Sequence, residues 1–209
     1  MQSLFKLCNA VYWLALAVWL AVLVTAGVSA IAVFTTLGEM DVSLSAYAAF
    51  EPDESEVPNA HAHLAAGHVL ELVFTLVDFV QFAMIPLMLI TLVAQFTVFK
   101  QKIRRPANLI RTGCIVIAAG LFAFHALARA PQMNRDLHAY WDAAKDGDVT
   151  TALEHREAFN RRHPTAEAVL TANLLLVVLA TFASAMAMTP ALPQRRTSEM
   201  QTPHLARKR

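Results

Sequence analysis

Between Leu7 and Gly38 the chain carries no charged residue. Further uncharged stretches run from Phe79 to Phe99, from Thr112 to Ala128 and from Ala168 to Gln194. A helix crossing the hydrocarbon of a bilayer needs about 20 mostly apolar residues, and only helices or closed barrels satisfy their own backbone polar groups there. Barrel strands are shorter and alternate in polarity, so these runs predict an all-α protein, a four-transmembrane-helix bundle. The predicted spans are about 10–36, 68–98, 108–129 and 166–190. Composition agrees, with 56% hydrophobic and 16% charged residues, unlike the mix of a soluble domain.

The first apolar run has a competing reading as a signal peptide, because Ser29-Ala30-Ile31-Ala32 resembles a cleavage site. The apolar core of such a signal spans about 7–15 residues. This run is far longer, and a retained helix is expected. Orientation follows from Lys and Arg, which concentrate on the cytoplasmic side. Lys100, Lys102, Arg104, Arg105 and Arg111 cluster after the second span, and Arg195, Arg196, Arg207, Lys208 and Arg209 end the chain. The first connection holds Glu39, Asp41, Glu51, Asp53, Glu54 and Glu56 without a basic residue. Both termini are therefore expected in the cytoplasm. Cys8 and Cys114 fall near that side, where thiols stay reduced and no disulfide is expected.

Residues 1–194 read as one integral membrane domain, followed by a basic cytoplasmic tail at 195–209. The acidic connection from Leu37 to Gly67, with Pro52 and Pro58, predicts irregular chain and one short helix near Asp41 to Phe50. Between the third and fourth spans, apolar residues at near-helical spacing predict two short amphipathic helices, about 132–145 and 149–162, on the outer surface. Gly147-Asp148 would separate them. Alanine pairs at 26/30, 119/123 and 183/187 offer close helix approaches. Pro86 should kink the second span.

The stretch "HVLELVFTLVDFVQ", from His68 to Gln81, places carboxylates among apolar residues. At about 1.5 Å per residue, Glu71 sits roughly 5 Å inside the outer boundary and Asp78 about 15 Å, near the middle of the hydrocarbon. Charged groups at such depth normally face a bundle interior or a water-filled cavity. His125 and Arg129 in the third span and Asn173 in the fourth lie at comparable depths. These residues predict an outward-facing polar cavity lined by Glu71, Asp78, His125, Arg129 and Asn173. The inner half holds little besides Gln95 and the Asn9 to Tyr12 entry, and is expected to be drier. Structural readings stand beside each: a Glu71–Arg129 ion pair, a packing role for His125, and a helix-joining amide at Asn173.

His61, His63 and His68 are spaced closely enough to share a divalent copper or zinc ion, with Glu56 or Glu71 nearby, or else form a solvated histidine cluster. His138, His155 and His163 invite the same two readings. The chain has no CxxCH haem attachment, phosphate loop, HExxH, GxSxG or dinucleotide fingerprint. A haem between His68 and His125 would sit at the outer edge, with no second pair to carry electrons across.

Trp19-Leu20-Ala21 with Phe34, then Pro131 with Arg135, then Phe159 and His163 ahead of Asn173 follow an order of parts that resembles the transmembrane-protein-205-like family of small four-helix membrane proteins. An alanine replaces that family's glycine at position 21, Pro164 intervenes, and Asn173 lies further along than its pattern. The resemblance implies the four-helix fold and a bacterial inner (plasma) membrane location, and assigns no mechanism.

These features predict a non-enzymatic integral membrane protein that binds or passes a cation, either a proton or a metal ion. A structural or assembly subunit is the second expectation, and a haem or quinone redox protein the third. The bilayer is the expected partner, with a membrane protein or a second copy of the chain alongside it; no nucleic-acid partner is expected.

Overall fold

The computed structural model describes residues 1–188, and among them regular structure is helical throughout. Helix α1 spans Gln2–Gly38, α2 Ala60–Thr97, α3 Pro106–Phe124, α4 Ala130–Lys145 and α5 Val149–Met188. A widened π-helical turn at His125–Arg129 joins α3 to α4, making one rod from Pro106 to Lys145. Four helical rods are long and apolar enough to cross a membrane, and this helical bundle is compatible with an integral membrane protein. The predicted tail at 195–209 lies outside the described residues.

At 37 to 40 residues, each rod is about 55–60 Å long, nearly twice the thickness of the hydrocarbon. The bundle therefore has a basic end, formed by Met1 and the 98–105 connection, and an acidic end, where the helices continue past the apolar zone. Helix α5 packs along α1, α3 and α4, and α1 also runs along α2. Helices α2 and α3 touch little, although they are consecutive in sequence.

The intramembrane core follows helical periodicity. Tyr12, Leu16, Trp19 and Leu23 of α1 meet Ile85, Met88 and Leu92 of α2, Ile115, Ala118 and Phe122 of α3, and Val177 and Ala180 of α5. On the opposite faces Leu14, Ile31, Leu72, Phe79, Ile90, Leu175 and Phe182 are exposed, as lipid contact requires. The expected alanine spacings are only partly used. Ala26 and Ala183 are buried, whereas the close approach on α3 is made by Ala118 and not by Ala119 or Ala123.

A second cluster caps the acidic end: Tyr47 and Phe50 of the first connection, Leu64 of α2, Tyr140, Trp141 and Ala144 of α4, and Ala152 of α5. In place of the helix expected over Asp41 to Phe50 there is a single 3-10 turn at Ser45–Tyr47. Gly147 turns the chain from α4 to α5 at φ +74°, and an added Cβ would come within 2.9 Å of Ala49. Both conditions call for glycine.

The two separate surface helices expected at 132–145 and 149–162 are not found. Those residues are helical, but the first group prolongs α3 through the π turn and the second is the opening of α5. Pro131 and Pro164 are built into the rods. Pro164 lies within α5. Pro131 lacks the N–H that would bond four residues back, and the turn just before it widens, with the Ala130 N–H reaching the His125 carbonyl.

Candidate functional site

Three regions hold the polar residues: a layer deep in the acidic half, the cap above it, and a centre near the basic end. In the deep layer, Trp19 of α1 donates its indole N–H to Gln81 Oε1 of α2 at 3.0 Å, and both side chains are buried. Gln81 in turn donates from Nε2 to Asp78 Oδ1, one helical turn away, at a long 3.4 Å. No Lys or Arg pairs with Asp78 among the described residues. The facing group is His125, within electrostatic reach at the start of the π turn. Its Nδ1 is buried without a hydrogen-bond partner, as is Asn173 Oδ1 on α5. Asp78 thus has an amide from its own helix and an imidazole across the bundle, but no fixed counter-charge.

The predicted cavity set is divided. Asp78 and His125 lie within electrostatic reach of one another without a hydrogen bond between them, and Asn173 is buried in the same half of the bundle. Glu71 does not pair with Arg129: its Oε1 meets His138 Nε2 of α4 at 2.6 Å. Arg129 lies over the Phe124 ring, 5.4 Å from its centroid. The widened turn and the continuous α3–α4 rod bring His138 down beside Glu71, a register that separate surface helices would not give.

The three expected metal-binding histidines have separate tasks. His61 Nδ1 accepts the Leu44 N–H at 3.0 Å, so its Nε2 carries the proton and donates to the Phe50 carbonyl at 3.3 Å. It fastens the first connection to α2. His63 faces Phe34 of α1 at 5.9 Å between ring centroids. His68 Nε2 shares a 2.7 Å hydrogen bond with the Tyr47 hydroxyl, and its ring lies 3.9 Å from that of Trp141. On α4 the His138 ring is 5.2 Å from the same indole. Among the described residues no three His, Cys, Asp or Glu side chains are grouped as a metal site would need. His155 shares no ion pair or ring contact with His138 or His163, and His163 pairs with Glu167 at 3.1 Å. Asp136 and Arg162 form an ion pair that ties α4 to α5.

The third region overturns the expectation of a drier inner half. Arg111, counted above among the charges of a connecting loop, sits in the second turn of α3 and is 0% exposed. Its Nη2 donates to Gln95 Oε1 at 2.8 Å and to Gln101 Oε1 at 3.0 Å. The guanidinium lies 5.5 Å from the ring centroids of both Tyr12 and Phe96. Tyr12 bonds to Ser184 of α5 at 2.6 Å, and Ser184 donates to the Ala180 carbonyl, so the phenol is the donor in that pair. All four long helices or their connections contribute. A signal was available: Asn108, Arg111, Ile115, Ala118 and Phe122 form one helical stripe, and Arg111 stands on its buried side.

No family model matches the chain, and no curated protein or solved structure does.

Proposed function

We propose that this membrane protein takes up a proton, and through it couples to or passes a cation, at Asp78 and His125. One observation supports the reading: a half-buried carboxylate in the middle of a long apolar helix, within electrostatic reach of the His125 imidazole and with no basic partner among the described residues. Ionised aspartate at a helix centre costs roughly 2.5–3.5 kcal/mol on insertion scales, and such residues mark ion and proton pathways more often than scaffolding. Two protonatable groups within electrostatic reach can exchange one proton for another without moving the backbone. Asn173, with a buried Oδ1 still free to accept, suits the same layer. The π turn supports it further, because widened turns of this kind are found at functional sites and this one begins at His125.

Orientation is part of the proposal. Both termini and the 98–105 connection lie on the cytoplasmic side of a bacterial inner membrane, and the Asp78 layer is nearer the outside. Membership of the transmembrane-protein-205-like family belongs to it too, resting on the order of Trp19, Phe34, Pro131, Arg135 and Asn173. The test is infrared difference spectroscopy of the protein in lipid across a pH titration. A protonated-carboxyl band that titrates in the wild type, disappears in Asp78→Asn and shifts in His125→Gln is the expected result. An unaltered spectrum in folded Asp78→Asn protein, with unchanged proton uptake by proteoliposomes, would overturn it.

The alternative of an assembly subunit draws on a different observation, the cap. Tyr140 and Trp141 are packed inside a cap that the acidic connection covers, and the exposed acids of that connection would be the docking surface. Constant co-purification with a larger membrane complex would favour it.

A further inference from the structure

A buried guanidinium is tolerable in a low-dielectric interior only when its charge and its five N–H groups are answered. Arg111 has two of the five answered, both by neutral amide oxygens through Nη2. Nε and Nη1 have no acceptor that meets full hydrogen-bond geometry, while the Tyr12 hydroxyl makes a looser hydrogen-bonding and electrostatic contact with the guanidinium. Gln95 is also 0% exposed, and its Nε2 has no acceptor either. Apart from that looser Tyr12 contact, the remaining N–H groups of Arg111 and the two of Gln95 Nε2 lack well-formed partners, an excess of donors around one positive charge.

Among the described residues no carboxylate pairs with it. From Asp78 to Asp136 there is no Asp or Glu, and none precedes Glu39. Asp78 is 17 positions from Gln95 along α2, about 25 Å. Beyond the described residues the chain holds one acid, Glu199. The adjoining connection adds Lys100, Lys102, Arg104 and Arg105, so the positive field around Arg111 is reinforced. The centre lies about 7 Å along α3 from Pro106, next to the basic connection.

We propose that Arg111 and Gln95 form an anion site for a phosphate group, reached from the basic end of the bundle. The phosphate belongs to the head group of an anionic lipid or is free in solution. Its several oxygens answer the several donors, whereas a single-point acceptor such as chloride leaves most of them unanswered. Gln101, on the connection, shares the guanidinium through its Oε1. The Oδ1 atoms of Asn9 and Asn108, also buried and without donors, lie one turn nearer the surface and can accept from a P–OH group. This site is separate from the Asp78 layer and does not depend on the role proposed for it.

The experiment uses the full chain in nanodiscs of zwitterionic lipid. Thermal midpoints are measured against inorganic phosphate, with chloride replaced at constant ionic strength, and then with phosphatidylglycerol added to the bilayer. A specific site raises the midpoint in proportion to the logarithm of phosphate above its dissociation constant. The wild type should show this for free phosphate, for the anionic lipid, or for both, and the two arms separate the sources. Arg111→Gln should abolish the rise, and Gln95→Leu should weaken apparent affinity at least tenfold. Phosphorus NMR on the wild type alone, showing an exchange-broadened or protein-retained phosphate, gives a readout that needs no variant to fold. A wild type indifferent to both phosphate sources overturns the proposal. So does an equal response in Arg111→Gln, or destabilisation by Glu199→Gln in a protein that ignores phosphate.

Discussion

At the scale of single residues, the chemistry of the bundle depends on polar groups whose partners sit on other helices. Gln81 is 2% exposed, and its Oε1 has the Trp19 indole as donor. Leaving a buried acceptor unmatched costs about 1–3 kcal/mol, whereas removing both partners together costs much less. Trp19→Phe is therefore expected to destabilise the protein by about that amount, beyond the loss of ring volume, and Trp19→Phe with Gln81→Leu by less than the two single changes summed. Unfolding in mixed micelles measures the cycle. Additive losses would show that the Trp19–Gln81 bond contributes nothing net. The sequence made Asp78 conspicuous because a carboxylate in an apolar run has few explanations. It hid Arg111, because an arginine near a run of basic residues is indistinguishable from a loop charge until the start of the helix is known.

Elements are decided by how they begin and end. Helix α5 starts at Asp148, whose carboxylate accepts from the Thr151 hydroxyl at 2.7 Å and the Thr151 N–H at 3.1 Å. The Thr151 hydroxyl, and then its N–H, hold this carboxyl below the ordinary aspartate range. Because the folded value is depressed, the cap stabilises the helix above the unfolded pKa, near 3.9, and the contribution is lost as pH falls through the folded value. Asp148→Ala should thus weaken protection of the first α5 amides at neutral pH, with the difference from wild type closing in acid. Hydrogen exchange followed by mass spectrometry checks it, and a difference independent of pH would mean that the charge is irrelevant to the cap. Helix identity was readable from hydrophobic period and length. Helix extent was not, since Pro131 and Pro164 stop helices in water-soluble chains more often than they are absorbed by a π turn or a packed rod.

At the scale of the whole molecule, the cap depends on contacts that no local pattern encodes. His61 fastens the Leu44 and Phe50 backbone to α2, Glu71 meets His138 across α2 and α4, and Trp141 lies between the His68 and His138 rings. The cap and the basic end must lie on opposite faces of the bilayer. In a background with Cys8 and Cys114 replaced by Ala, a cysteine at Glu54 should react with a membrane-impermeant maleimide in intact cells. One at Arg104 should react only after permeabilisation. Reversed labelling would place the termini outside and move the Asp78 layer to the inner half of the membrane.

From the sequence alone came the helical class, four segments long and apolar enough to cross a membrane, and a carboxylate set within the second of them. Each of these follows from the cost of burying backbone and charge in hydrocarbon, a cost paid residue by residue along the chain. Only the tertiary structure decided which polar groups meet. Glu71 goes to His138 and not Arg129, the three histidines at 61, 63 and 68 part company, and Arg111 turns inward to Gln95 and Tyr12. Pairings of that kind depend on helix rotation and relative height, and those are fixed by packing between segments distant in sequence.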